Sequence, residues 1–405
     1  MKYCGLAILV LFATSTLQAQ PPQLFSQPDV VVEVDAEKLL QPRMFSRAKL
    51  LTLNIQQLLA TTDRADFELS AFDIDRKMCS LTPMPSVSES SRSWHGIFDG
   101  GYITLVLRTG AIQSGNQISR QYVAAGTIQT SKAVYQIRQA VGEQVIVREL
   151  DLNSLPVELE PLVPDEKMEP ATAQDAATAP HQFTVAVFYT SKARDGEGGT
   201  SQMNAVIDLA VTETNVAYTN SRINATLSLV HREMTNDDES GSFNGMLTAL
   251  RNSSDGRMDE VHTRRNTHSA DLVSLICDDA TSCGLAYRMQ TLSSTFEGWA
   301  FSVINRNCAT GYYSFAHELG HNMGCCHDAA NPSADPIYPY AYGWHFNVGL
   351  SGEEVRTIMA YAPGLRIQYF SNPNVSIGIY PTGKAGEANN ALTINNTAGT
   401  VAAFR

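Results

Sequence analysis

Positive charge is scarce in this chain: 29 lysines and arginines stand against 41 aspartates and glutamates, a formal net charge of −12. So acidic a chain offers no basic stripe to a phosphate backbone and no cationic face to an anionic bilayer, which argues against nucleic-acid partners and against membrane-surface binding. Long apolar runs are lacking too. Leu6 to Phe12 is apolar, but it is shorter than the roughly 20 residues a spanning helix needs, and no other stretch could span. There is no internal repeat. Residues 20 to about 165 contain no recognisable catalytic motif. Charged residues make up only 17% and apolar ones 43% of 405 residues, the balance of a globular chain long enough for two or three domains.

What is present first concerns the compartment. Lys2 gives a positive start, Leu6 to Phe12 an apolar stretch, and Leu17-Gln18-Ala19 resembles a signal-peptidase site. Residues 1–19 are therefore expected to be a signal peptide, and the chain to be secreted, extracellular or periplasmic. Cysteines can pair there. Of the seven, five lie between Cys277 and Cys326.

Residues 20–165 are expected to be mostly β. Val30–Val34, Tyr102–Leu107, Ala133–Ile137 and Val145–Val147 have strand composition, with turn residues such as Asp99-Gly100-Gly101 between them. Lys49–Ala60 fits a helix or a strand equally. Residues 151–175 are rich in acid and proline and are expected to be a solvated linker. From there strands and helices alternate. Phe183–Tyr189, Ala225–Val230, Asp271–Ile276, Ala286–Arg288 and Phe301–Ile304 are strand-like. Ser201–Tyr218, Phe243–Leu250, Met258–Arg265 and Asn389–Phe404 have helical spacing.

The chemistry is concentrated in Phe315-Ala-His-Glu-Leu-Gly-His-Asn-Met-Gly-Cys-Cys-His-Asp328. His317 and His321, four apart, share one face of a helix and can hold one ion at the roughly 2 Å that zinc requires. Glu318 is placed to reach a water on that ion rather than the ion itself. Gly324 tolerates the left-handed turn that ends a helix, after which the chain can fold back and bring in His327 as third ligand. Three neutral imidazoles and an open position suit hydrolysis; a closed structural site would need a fourth protein ligand. Other histidines, such as His181 and His345, are expected to be ordinary surface or core residues.

The pattern H-E-x-x-H-x-x-G-x-x-H, with Thr357-Ile358-Met359-Ala360-Tyr361 following, resembles the metzincin zinc peptidases. His-Glu-Leu-Gly-His-Asn-Met-Gly and Asp328 are closest to the adamalysin, or reprolysin, branch, and Arg366-Ile-Gln-Tyr-Phe-Ser-Asn-Pro373 resembles bacterial secreted members, including peptidyl-Asp metallopeptidases. The resemblance covers residues 181–405. It implies an α/β (α+β) catalytic domain with a twisted mixed sheet above the cleft and the zinc helix below, preceded by a mostly β pro-domain at 20–165 and an acidic linker at 166–180. The implied activity is a zinc-dependent endopeptidase made as a latent precursor. One catalytic Zn2+ is expected and no calcium site is assigned; the partners are protein or peptide substrates, and the chain is expected to be a monomer.

The same resemblance suggests further roles. Met359 would be the floor beneath the zinc. Tyr361 matches the spacing at which astacins and serralysins place a tyrosine near zinc, where it would stabilise the oxyanion or ligate the metal; the alternative is that it packs below the turn. Arg366 would favour an acidic side chain in the specificity pocket. Arg76-Lys-Met-Cys79-Ser-Leu-Thr82 resembles the cysteine switch of adamalysin pro-segments, so Cys79 is a candidate for latency. Cys283 with Cys308 is the expected disulfide, with Cys277 joined to Cys325 or Cys326, or alternatively to Cys283.

Overall fold

The computed structural model describes residues 20–28, 44–114, 117–170, 180–349 and 352–405. The strand expected at Val30–Val34 lies outside them.

The N-terminal part is one nine-stranded antiparallel sheet: β1 (Phe25–Ser26), β2 (Phe45–Leu53), β3 (Ala65–Ala71), β4 (Ile74–Met84), β5 (Ser91–Phe98), β6 (Gly101–Ser114), β7 (Gln117–Thr130), β8 (Val134–Gln139) and β9 (Gln144–Leu150), in the order β1-β2-β9-β8-β7-β6-β5-β4-β3. Alternation explains its curl. In β3, Phe67, Leu69 and Ala71 are buried while their neighbours are not, so one face must be covered. The sheet covers itself by nearly closing. Leu24 N donates to Glu68 O at 2.9 Å, and Glu68 N to Pro22 O at 2.9 Å, joining the two ends. Leu51, Leu58, Leu81, Trp94, Leu105 and Ile137 fill the interior. The ambiguous stretch Lys49–Ala60 is both things in turn. It is strand as far as Leu53, and then Asn54 caps a short helix, α1 (Ile55–Ala60), by accepting from Gln57 N.

The C-terminal part has a five-stranded mixed sheet. Its strands are β10 (His181–Tyr189), β11 (Ala225–Met234), β12 (Leu272–Cys277), β13 (Gly284–Ala286) and β14 (Phe301–Asn305), in the order β11-β10-β12-β14-β13. All pairs are parallel except β13 with β14. Helices α2 (Ser191–Glu197), α3 (Thr200–Asn220), α4 (Phe243–Arg251), α5 (Glu260–Thr267), α6 (Ser314–Asn322) and α7 (Asn390–Val401) surround it. The edge strand begins two residues earlier than its sequence suggested, because Arg288 turns inward and its guanidinium donates to Ala334 O at 2.6 Å.

Helix α3 joins the two parts. The apolar face expected from Met203, Val206, Ile207, Ala210 and Val211 is buried in the mixed-sheet core, but Ala205 and Leu209 are buried as well. Val106 of β6 and Val123 and Ala125 of β7 join that same core. The polar residue between them, Asp208, is fully buried and satisfied by Arg108 at 2.7 Å and Arg232 at 2.6 Å. A buried carboxylate without such partners would cost several kcal/mol.

Residues 151–175 are not a solvated tether throughout, contrary to their composition. Glu158 and Pro161 are buried. Charge and proline disfavour a private core, but they do not prevent docking against an open strand edge.

Candidate metal centre and peptide cleft

Helix α6 starts at Ser314, after Tyr313 in a left-handed conformation (φ 62°). Tyr313 is fixed by its hydroxyl, which donates to Gln129 Oε1 at 2.7 Å. The helix ends at Gly324, with φ +88°. Cys325 N bonds Gly320 O and Gly324 N bonds His321 O, both at 2.9 Å, the paired bonds of a Schellman stop. A Cβ at residue 324 would lie 2.8 Å from Ile337 Cγ2. The reversed chain then runs through Cys326–Asp328, a short strand that delivers His327.

The three predicted ligands converge. Their Nε2 atoms are 3.1 Å (His317–His321), 3.2 Å (His317–His327) and 3.0 Å (His321–His327) apart. Every Nδ1 has an acceptor: Ile358 O at 2.8 Å, Cys325 O at 2.8 Å and Glu160 Oε2 at 3.1 Å, for His317, His321 and His327. With the proton held on Nδ1, each Nε2 presents a lone pair to the same point. Burial pushes all three below the usual histidine range, so the rings stay neutral. Three lone pairs crowded together in a dry site fit a cation. Two ligands at about 2.0–2.1 Å on tetrahedral corners stand roughly 3.3 Å apart, close to what is seen. Among the described residues this is the one such cluster of metal-binding side chains.

Glu318 lies in the same helix and is fully buried, and neither carboxylate oxygen has a hydrogen-bond partner among protein groups. Burial first, and then the nearby Glu158, raise its pKa well above the carboxylate range. It packs against edge strand β13 at Gly284, where a Cβ would fall 2.7 Å from Glu318 Cδ. Under the helix, a Cβ on Gly320 would be 2.6 Å from Met359 Sδ, so this glycine is what lets the methionine come up beneath the ligands. Tyr361 lies on the His327 ring with centroids 3.8 Å apart. Its backbone N donates to Asp328 Oδ2 at 3.0 Å. Arg366 is buried, its Nη1 donating to Glu158 Oε1 at 2.7 Å and to Tyr312 O at 2.9 Å.

Two expectations are corrected. Cys79 is not brought to the histidines. It is fully buried in β4, among Phe67, Leu81 and Trp94, and burial pushes its thiol up to about 12. An alternating strand had to send it to one face or the other, and the apolar face took it. Cys283–Cys308 is bonded as expected, but Cys277, Cys325 and Cys326 are separate buried thiols. Cys277 ends β12 beside Ile304 O, Cys325 faces Asn390 O, and Cys326 accepts from Arg288, so they are held by three different neighbours.

Comparison with known proteins agrees with this geometry. Residues 179–371 match the Reprolysin_5 domain of metallo-peptidase family M12. The chain is 34% identical, over 89% of its length and 87% of the relative's, to a peptidyl-Asp metalloendopeptidase of Stenotrophomonas maltophilia (strain R551-3). It is 32% identical, over 97% of its length and 90% of the relative's, to one from Xanthomonas campestris pv. campestris. The chain belongs to this metzincin family. It is a zinc metalloendopeptidase with one zinc held by the histidine cluster, and its substrates are proteins or peptides. Among its described residues no helix is long and apolar enough to cross a membrane.

Several residues of this metallopeptidase site were not singled out from sequence. Gly320 was within reach, because it sits inside the motif. Gly284, Ser314, Glu158 and Glu160 had no local signal, since each matters only through a partner distant in the chain.

Proposed function

We propose that this metallopeptidase is secreted, is held latent by residues 20–165, and hydrolyses peptide bonds beside acidic residues. In this reading 1–19 is a signal peptide, 166–180 the linker and 181–405 the catalytic domain. The observation that carries the specificity is Arg366: a buried guanidinium beside Glu318, holding a carboxylate. The peptidyl-Asp names of its relatives support the same preference.

When bound by His317, His321 and His327, zinc would supply a Lewis acid and lower the pKa of its water to about 7. Glu318 takes the proton from the attacking water and returns it to the leaving amine. Its unpartnered oxygens and its contact with Gly284 support this role, since an extended peptide would lie on β13. Tyr361, whose ring lies against that of His327, would hydrogen-bond the developing oxyanion. Met359 supports the ligand helix from below. Arg366 reads the acidic side chain by a charge-assisted bond. This reading takes the chain as a monomer.

The test compares the matured enzyme on paired peptides with Asp or Asn at a single position, with and without chelator. Cleavage of the Asp peptide alone, lost with chelator and restored by zinc, is the expected result. Equal cleavage of both peptides would remove the specificity, and activity in chelator would remove the mechanism.

A further inference from the structure

Edge strand β13 already carries a strand. Cys283 N donates to Val157 O at 3.0 Å, Leu159 N to Gly284 O at 3.1 Å, Leu162 N to Ala286 O at 2.9 Å, and Arg288 N to Leu162 O at 2.7 Å. The added segment runs parallel to β13. Its Glu158 carboxylate accepts from Arg366 Nη1 and from Ser314 Oγ, both at 2.7 Å. We propose that residues 157–163 are a built-in inhibitor of the cleft, in which Glu158 stands in place of the acidic side chain of a substrate. This rests on the reading of Arg366 as the acid-recognising group.

Three observations carry it. First, Arg366 and Glu158 bury each other, with side chains 1% exposed on either side, and among the described residues Glu158 is the anion paired with Arg366. Removing one partner of such a pair leaves an uncompensated buried charge. Once the segment leaves, Arg366 and Ser314 become a vacant two-donor receptor for a carboxylate. Second, Ser314, the first residue of the helix that carries Glu318, donates to the same Glu158 oxygen as Arg366, so the segment holds a side-chain carboxylate beside that helix. Third, the segment has a second anchor two residues on. Glu160 accepts from His327 Nδ1 at 3.1 Å and from Ser333 Oγ at 3.1 Å. A strand with two acidic anchors and a main-chain ladder is a bound peptide in every respect except that it is covalently continuous with β9. The latency expected of the Cys79 thiol is thus assigned to a segment at the end of the same N-terminal region, anchored by two carboxylates. Ser314, as the second donor, becomes a determinant of acid selectivity.

The test uses the full chain, uncut, with its intactness confirmed by mass. Wild type, Glu158→Gln and Glu158→Ala are assayed on a quenched Asp-containing peptide. Both variants should be more active than wild type by about tenfold or more, the loss expected for a charged hydrogen bond. To keep the test independent of how the variants fold, a second measurement uses wild-type matured enzyme and the nonapeptide spanning 155–163. That peptide should inhibit competitively and remain uncut, and its Glu158→Gln version should be weaker by about tenfold or more. Uncut variants as silent as wild type, together with a nonapeptide that fails to inhibit, would overturn the inhibitor while leaving acid-selective cleavage intact. Inhibition that depends on Glu158, by an enzyme indifferent to acidic residues in its substrates, would instead overturn the assignment of Glu158 as a substrate surrogate.

Discussion

Gly284 and Glu318 meet with no room between them: a Cβ on residue 284 would lie 2.7 Å from Cδ and 2.8 Å from Cγ of the glutamate. The edge strand and the ligand helix are thereby set at the spacing that brings the base to a bound peptide. Gly284→Ala should push the carboxylate away while sparing the histidines. A displacement near 1 Å costs on the order of 100-fold in rate. The expected outcome is kcat down by about that factor with zinc content unchanged, checked by steady-state kinetics and metal analysis. Unaltered kcat would mean that Glu318 is not held by this contact.

Glu318→Gln keeps the size of the side chain and removes its basicity. Hydrolysis should fall by at least about 100-fold to 10,000-fold, the range for loss of a general base. Bound zinc should stay at one per chain. If the metal is lost instead, the residue is a ligand and the assignment fails.

Arg366→Ala in the matured enzyme should abolish the preference for Asp over Asn substrates. A lost charge-assisted bond is worth about 1.5–3 kcal/mol, so kcat/KM on the Asp peptide should drop roughly 10- to 150-fold. Activity on a neutral peptide is the control and should change far less.

Gly320→Ala places a methyl 2.6 Å from Met359 Sδ. Overpacking of this kind typically costs about 1–3 kcal/mol. Thermal denaturation of the zinc-loaded chain should show a lower Tm. Zinc should also be lost to a competing chelator sooner than from wild type.

Glu213 gives a pH test. Burial raises its pKa from the ordinary 4.5 to about 7 in the intact chain, against the bond from Gly311 N. The folded state keeps this proton up to about 7, while the unfolded chain releases it near 4.5. Between those values the folded state binds more protons, so this group's contribution to stability falls as pH rises through that window. Glu213→Gln should flatten the dependence: the difference in Tm between pH 5 and pH 8 shrinks relative to wild type. An unchanged difference would show that Glu213 ionises in the folded chain as it does in water.

The metal site was legible in the sequence because its chemistry is local. Two turns of helix and one glycine bring His317, His321 and His327 together, and their spacing records it. The mixed sheet was legible for a similar reason, since β10, β12 and β14 are short, mostly apolar runs without the alternation of a half-exposed strand. Arg366 could be proposed from family resemblance, but its partner could not. Across the separation of 208 positions between Glu158 and Arg366 no pattern joins them. Cys79 misled because a short motif fixes which residues are present and not the face they point to. In β4 that face is decided by alternation with Leu81, which the apolar interior claims. The linker was misjudged because composition reports how a segment behaves alone, whereas residues 157–163 are completed by an unpaired strand edge elsewhere.

The covalent continuity of that segment with β9 has a consequence for activation. While the chain is whole, its local concentration at the cleft is set by the tether and does not change with dilution, typically in the millimolar range for a short connection. A cut after residue 163 leaves the strand attached to the nine-stranded sheet and not to the catalytic part. Inhibitor and peptidase then become two molecules in ordinary bimolecular equilibrium. At high concentration the two stay paired, and dilution alone separates them. If the enzyme is secreted as proposed, the cut would prime it and diffusion away from the producing cell would turn it on.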